Sequence, residues 1–149
     1  MPSEKYYVDT CVWLNLFNKE ENRTTWYRYW EAAQEFFDRI MASEDAIILM
    51  SPVVLQEIKR KIGNSAYETA KQELLGNDKI VSIPLTSQDK AVARKLESHY
   101  HFNISFGDLL HLSLSRRYGA TLVTRDRQLI DISNENQVTA LYPEAAKVC

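Results

Sequence analysis

Short apolar runs alternate with amphipathic helical stretches along the whole chain, and that order constrains its fold more than any other feature. The runs are Lys5–Val8, Ala46–Met50, Lys79–Ile83, Thr121–Thr124 and Val138–Leu141. Between them, helical spacing appears over Thr10–Phe17, Trp26–Ser43, Pro52–Ile62, Ser65–Gly76, Thr86–Tyr100 and Ser105–Tyr118. A strand that returns through a helix re-enters its sheet in the same direction, so the pattern predicts an α/β fold. A central, mainly parallel sheet of four to five strands, with helices on both faces, is expected. Ala46–Met50 is apolar at every position, as a strand covered on both faces requires.

The punctuation agrees. Ser51 suits a helix cap with Pro52 in the first turn, where a missing N–H costs nothing. Ser65 with Glu68, and Ser105 with Asp108, have capping-box spacing, and Gly119 suits a helix stop. Trp26, Tyr29, Trp30, Ala33, Phe36, Phe37, Ile40 and Met41 form one broad apolar face on the longest expected helix. At 149 residues, one domain spanning 1–149 is expected, large enough to bury a core without disulfides.

Composition excludes several classes. With 45% apolar and 26% charged residues the chain reads as soluble and globular, and no apolar run is long enough to span a bilayer. Met1–Lys5 has no basic segment leading into a long apolar one, so no secretory signal is expected and a cytoplasmic location is the default. Only Cys11 and Cys149 are present, which suits reduced thiols. A net charge of -2 counts mildly against a nucleic-acid binder. It counts less if the acids hold cations, because bound divalent ions reverse the local field.

The chemistry lies in four acids, Asp9, Glu57, Asp108 and Asp126, each placed where a strand ends or on a following helix. In an open parallel sheet, groups at the strands' carboxyl ends face the crevice where ligands bind. Converging carboxylates raise one another's pKa unless a cation neutralises them, and hard oxygen donors suit Mg²⁺ or Mn²⁺. Singly, each acid has a bland use: Asp108 as a cap, Asp9 in a turn, Glu57 on a solvated helix face.

Taken together, Val8-Asp9-Thr10, Val54-Leu55-Gln56-Glu57-Ile58, Gly107-Asp108-Leu109-Leu110 and Tyr118 to Asp126 closely resemble the PIN domain. Within that family of Mg²⁺/Mn²⁺-dependent ribonucleases, the chain resembles the toxins of VapBC-type toxin–antitoxin pairs. The resemblance covers nearly the whole chain and implies a three-layer α/β/α PIN-like fold. It further implies an acidic pocket of Asp9, Glu57, Asp108 and Asp126 holding one or two Mg²⁺ or Mn²⁺ ions, with Thr10 and Thr124 in support. RNA as substrate, a homodimer and a cognate antitoxin are also implied.

Two positions depart from the pattern. Cys11 stands where Ser or Asn is frequent; sulfur is a poor Mg²⁺ ligand, so Cys11 is expected to pack, and a hydrogen bond ordering Asp9 to be missing. His111 stands where a small apolar residue is commoner. It shares a helix face with Asp108. A partly buried, hydrogen-bonded histidine is the preferred reading, with His111→Ala lowering activity far less than Asp108→Asn. Among Lys59, Arg60, Lys61, Arg116, Arg117, Arg125 and Arg127, the residues flanking Asp126, Arg125 and Arg127, are the expected RNA phosphate contacts. Trp26, Tyr27, Tyr29 and Trp30 have two uses, stacking on bases or packing in a core or interface.

A phosphotransferase of the haloacid dehalogenase type also begins with a strand ending in Asp. It wants a second Asp two residues later, and position 11 is Cys. The other alternative is a non-toxin or catalytically weak PIN domain acting in RNA processing or protein binding. Retention of all four acids counts against it, since a carboxylate cluster without a cation burdens stability.

Overall fold

A computed structural model describes residues 4–149; Met1–Ser3, part of the stretch read for a secretory signal, lie outside it. The strands are β1 (Glu4–Val8), β2 (Ala46–Met50), β3 (Ile80–Ser82), β4 (Thr121–Val123) and β5 (Ala140–Leu141). The helices are α1 (Thr10–Phe17), α2 (Tyr29–Ala42), α3 (Pro52–Ile62), α4 (Asn64–Leu75), α5 (Ser87–His99), α6 (Phe106–Tyr118) and α7 (Arg127–Glu135). A single 3₁₀ turn, Pro143–Ala145, follows β5. All strand pairings are parallel, in the order β3-β2-β1-β4-β5. The seven helices flank this five-stranded sheet in three layers, α/β/α, as expected.

The strand order decides where a site forms. The chain builds outward from β1 through β2 to β3, then jumps back to β4 on the other side of β1. Loops after β1 and β4 therefore part in opposite directions and leave a crevice at the sheet's carboxyl edge. Register sets Tyr7 opposite both Leu49 and Leu122, and the Asp9 N–H donates to the Val123 carbonyl at 2.9 Å. The last residues of β1 and β4 are thus held side by side as the chain leaves the sheet.

The core explains why these elements form. Tyr7, Val8, Ile48, Leu122 and Val123 are fully buried in the sheet, and Phe36 and Ile40 fill the inward face of α2. Helix α6 is buried continuously from Leu109 to Ser115 and packs on β1, β4, α3, α5 and α7. Ser51 caps α3 by accepting from the Val54 N–H, with Pro52 in the first turn. Gly119, in the left-handed conformation at φ 63°, ends α6. No described helix is long and apolar enough to cross a membrane.

The structure corrects three expectations. The helix expected from Trp26 begins at Tyr29: the Asn22 side chain accepts from the Thr24 and Thr25 N–H groups and turns the chain. Trp26 then takes a φ of 62°, which a right-handed helix cannot contain, and its side chain is 70% exposed. The Ser65–Glu68 capping box does not form, because α4 already starts at Asn64 and the N-cap falls on Gly63, at φ 85°, two residues before Ser65. The Ser105–Asp108 box is half made: Ser105 Oγ accepts from the Asp108 N–H at 3.2 Å, while the Asp108 carboxylate lines the crevice. Helix α7 was not expected, although Asp126 caps it and Leu129 and Ile132 bury at helical spacing.

Candidate active site

The crevice is a cavity of about 630 Å³ lined by Asp9, Thr10, Cys11, Leu14, Glu57, Arg60, Lys61, Asp108, Arg125 and Asp126. All four expected acids line it. Asp9 stands at the N-cap position of α1, after β1, without a side-chain capping bond, Glu57 projects from α3, Asp108 lies in the first turn of α6, and Asp126 caps α7 beyond β4.

Three of the four carboxylates, those of Asp9, Glu57 and Asp126, have one oxygen occupied by protein donors. Thr124 Oγ1 donates to Asp9 Oδ2 at 2.7 Å and accepts from the Asp126 N–H at 3.0 Å, so one hydroxyl ties two acids together. Thr10 Oγ1 donates to Glu57 Oε1 at 2.7 Å. Asp126 Oδ1 accepts from the N–H groups of Gln128 and Leu129. Gly107 makes room for Glu57: a Cβ there would stand 3.2 Å from Glu57 Oε2.

Cys11 does more than pack. Its Sγ lies 3.3 Å from Asp9 Oδ2 and 3.7 Å from Thr124 Oγ1. Burial, with the Asp9 charge beside it, pushes the thiol pKa up, so the thiol stays protonated and faces the carboxylate as a weak donor. The hydrogen bond expected to be missing is supplied by Thr124 and Cys11 together.

His111 is hydrogen-bonded, as preferred, but fully rather than partly buried, and its partners are the site's own groups. Nδ1 is 2.7 Å from the Tyr7 hydroxyl, Nε2 is 2.7 Å from Glu57 Oε1, and Nε2 lies 3.4 Å from Asp9 Oδ1. The two sequence readings of His111 therefore merge: it is a core histidine inside the acidic cluster. Asp9, Glu57 and His111 bring one potential ligand atom each within 4.8 Å of one another. Spacing from Asp108 hinted at this; the contact with Tyr7, 104 residues away, is invisible in sequence.

Electrostatics separate the members. Burial, reinforced by Asp9, raises the Asp108 carboxyl to about 6. Burial would also raise Glu57, but the hydrogen bond and charge of His111, the Thr10 hydroxyl and Arg60 outweigh it and hold Glu57 below its usual range. Burial alone would lower His111; the Glu57 hydrogen bond and the charges of Asp9, Glu57 and Asp108 raise it instead. The oxygens left without protein donors are hard ligands converging on one cavity. Asp108 registers the repulsion that a divalent cation would relieve, so the donor set fits such an ion.

The cationic rim differs from the flanking pair singled out in sequence. Arg60 and Lys61 line the cavity from the last turn of α3, on the helix that carries Glu57. Arg125 also lines it, but its guanidinium pairs with Glu144 at 2.9 Å and lies within 6 Å of the Tyr27, Tyr29 and Tyr142 rings. Arg127 is exposed at the start of α7 and is not among the cavity's lining residues. Arg117 is committed to Asp89 through Nε at 2.7 Å. Tyr27 and Tyr29 line a neighbouring groove that meets the acidic cavity at Arg125.

Known proteins share this architecture. VapC20 of Mycobacterium tuberculosis, a sarcin–ricin loop cleaving toxin, superposes with a TM-score of 0.64 at 22% identity, covering 85% of this chain and 94% of that one. A toxin–antitoxin complex from Klebsiella pneumoniae matches with a TM-score of 0.64 at 13% identity, over 93% of this chain and 97% of that one. VapBC2 of Rickettsia felis, bound to a DNA fragment from its promoter, matches with a TM-score of 0.66 at 15% identity, over 93% and 98%. A search of curated protein sequences finds no match. Residues 6–135 match the PIN domain family, and the chain belongs to it.

Proposed function

We propose that this chain is a Mg²⁺- or Mn²⁺-dependent endoribonuclease, and the toxin of a VapBC-type toxin–antitoxin pair. The observation that carries the reading is the convergence of Asp9, Glu57, Asp108 and Asp126 on one open cavity with cations at its rim. The likeness to a sarcin–ricin loop cleaving toxin and to two toxin–antitoxin complexes supports the biological setting. A cytoplasmic homodimer neutralised by a cognate antitoxin belongs to the same proposal.

Asp9, Asp108 and Asp126 hold the ion, with Glu57 as the fourth acid. When bound, the ion supplies Lewis-acid charge that polarises the scissile phosphodiester and favours attack by water. The protein contributes orientation. Thr124 and Cys11 occupy Asp9 Oδ2 and leave Oδ1 toward the acidic cluster; Thr10 and His111 occupy Glu57 Oε1 and leave Oε2. Arg60 and Lys61 offer positive charge to RNA phosphates approaching past α3, offsetting a chain whose net charge is -2.

Expression of wild type and Asp9→Asn in a bacterial host, followed by mapping of RNA ends, tests the proposal. Growth arrest and new RNA ends are expected with wild type alone. Absence of both would sink the toxin reading, and equal cleavage by purified Asp9→Asn would sink the acidic-pocket mechanism.

A further inference from the structure

The His111 imidazole occupies the space between two of the carboxylates. Nε2 stands 2.7 Å from Glu57 Oε1 and 3.4 Å from Asp9 Oδ1. Glu57 Oε1 already accepts from Thr10 at 2.7 Å, so that oxygen carries two donors. A Mg²⁺ or Mn²⁺ ion bridging these two oxygens would need both within about 2.1 Å and would then press against the ring nitrogen. Ion and N–H cannot share the place.

The ring has no room to swing aside. Nδ1 meets the Tyr7 hydroxyl at 2.7 Å, and that hydroxyl meets Ser51 Oγ at 2.6 Å. Ser51 accepts from the Val54 N–H and caps α3, the helix that carries Glu57. The hydrogen bonds therefore close a loop from the start of α3 through β1 and α6 back to the middle of α3. Tyr7, Ser51 and His111 are fully buried, so no water competes for the loop. Proton directions are consistent throughout: the Glu57 carboxylate only accepts, which fixes Nε2 as a donor, and the Tyr7 hydroxyl, backed by Ser51 Oγ, can turn to donate to Nδ1 or to accept from it.

We propose that His111, locked by Tyr7 and Ser51, blocks the Asp9–Glu57 side of the cluster, so that this site takes one divalent ion rather than two. The ion sits with Asp9, Asp108 and Asp126, and Glu57 is a positioning residue that lines the cavity with Oε1 held by Thr10 and His111. His111 acts as an N–H donor and not as a metal ligand. This rests on the metal-dependent reading above and refines it.

Titration of metal-free protein with Mn²⁺, counting the free ion by its electron paramagnetic resonance signal, tests the proposal. One bound ion is expected for wild type, two for His111→Ser, and one for His111→Gln, whose amide restores a donor. Circular dichroism checks that each variant folds. Long-range ¹⁵N–¹H spectra give a second arm that needs no variant: the His111 Nε2-bound proton should persist at saturating Mg²⁺. In Tyr7→Phe the same ring signals should broaden or double.

Two ions in wild type, one ion in folded His111→Ser, or loss of the Nε2 proton on Mg²⁺ binding would each overturn the inference. Unchanged ring signals in Tyr7→Phe would overturn the role of Tyr7. One bound ion without RNA cleavage would sink the ribonuclease reading and leave this inference standing. No bound ion in wild type would sink both.

Discussion

Replacing Asp108 with Asn should stabilise the metal-free protein at neutral pH while removing its activity. Burial first, and the Asp9 charge second, raise the Asp108 carboxyl from 3.8 to about 6. At about 1.36 kcal/mol per pKa unit, the ionised carboxylate costs the fold about 3 kcal/mol. Because the native carboxyl keeps its proton to higher pH than the unfolded one, the native state binds more protons between about pH 4 and pH 6. Wild-type stability therefore falls as pH rises through that window and stays lowered above it. Asn is neutral throughout, so other groups cancel in the comparison and the advantage of Asp108→Asn should grow over the same window. Urea unfolding of rigorously metal-free protein should give equal stability near pH 4 and a gain of about 2–3 kcal/mol at pH 7.5, or roughly 6–10 °C in Tm. Saturating Mg²⁺ should narrow or reverse the gap, because linkage favours the variant that binds the ion better. An Asn variant no more stable at pH 7.5 than at pH 4, relative to wild type, would refute the reasoning.

Three further outcomes are expected. Gly107→Ala should push Glu57 Oε2 from its place, since the new Cβ would stand 3.2 Å from it, and reduce RNA cleavage without loss of the fold; unchanged kcat with Mn²⁺ would count against a role for that oxygen. Arg60→Gln with Lys61→Gln should weaken RNA binding to Asp9→Asn protein and lower the salt slope by about 1.4, the share of two phosphate contacts on a single strand; an unchanged slope would remove both from the RNA path. Glu144→Gln should free Arg125 from an ion pair whose side chains are 15% and 37% exposed, lowering stability by about 1 kcal/mol or less by thermal melting. A larger loss would mean the Tyr27 hydroxyl bond to Glu144 carries more of the loop than the ion pair does.

How far the sequence could be read varied by element. Strand β2 and helix α3 were legible to the residue, because a continuous apolar run and a Ser-Pro start are signals written by adjacent positions. The start of α2 was not. There the aromatic spacing is helical, but the side chain of Asn22 and the positive φ of Trp26 decide the backbone. The Ser65–Glu68 spacing failed for a similar reason, since Gly63 at a positive φ of 85° let the helix begin at Asn64.

The sequence by itself determined the α/β class and the placing of Asp9 after β1 and of Asp126 beyond β4, because strand–helix alternation leaves few ways to build a sheet, while the place of Glu57 among the acids was implied chiefly by the resemblance to the PIN domain. Tertiary structure alone decided what surrounds those acids. It turned His111 from a core residue into a donor to Glu57, tied Arg125 to Glu144, and brought Arg60 and Lys61 to the rim that Arg125 and Arg127 were expected to serve. Those outcomes depend on contacts such as Tyr7 with His111 and Thr124 with Asp9, separated by 104 and 115 positions. Local patterns specify which face of an element is buried; they carry no record of which distant side chain meets it there.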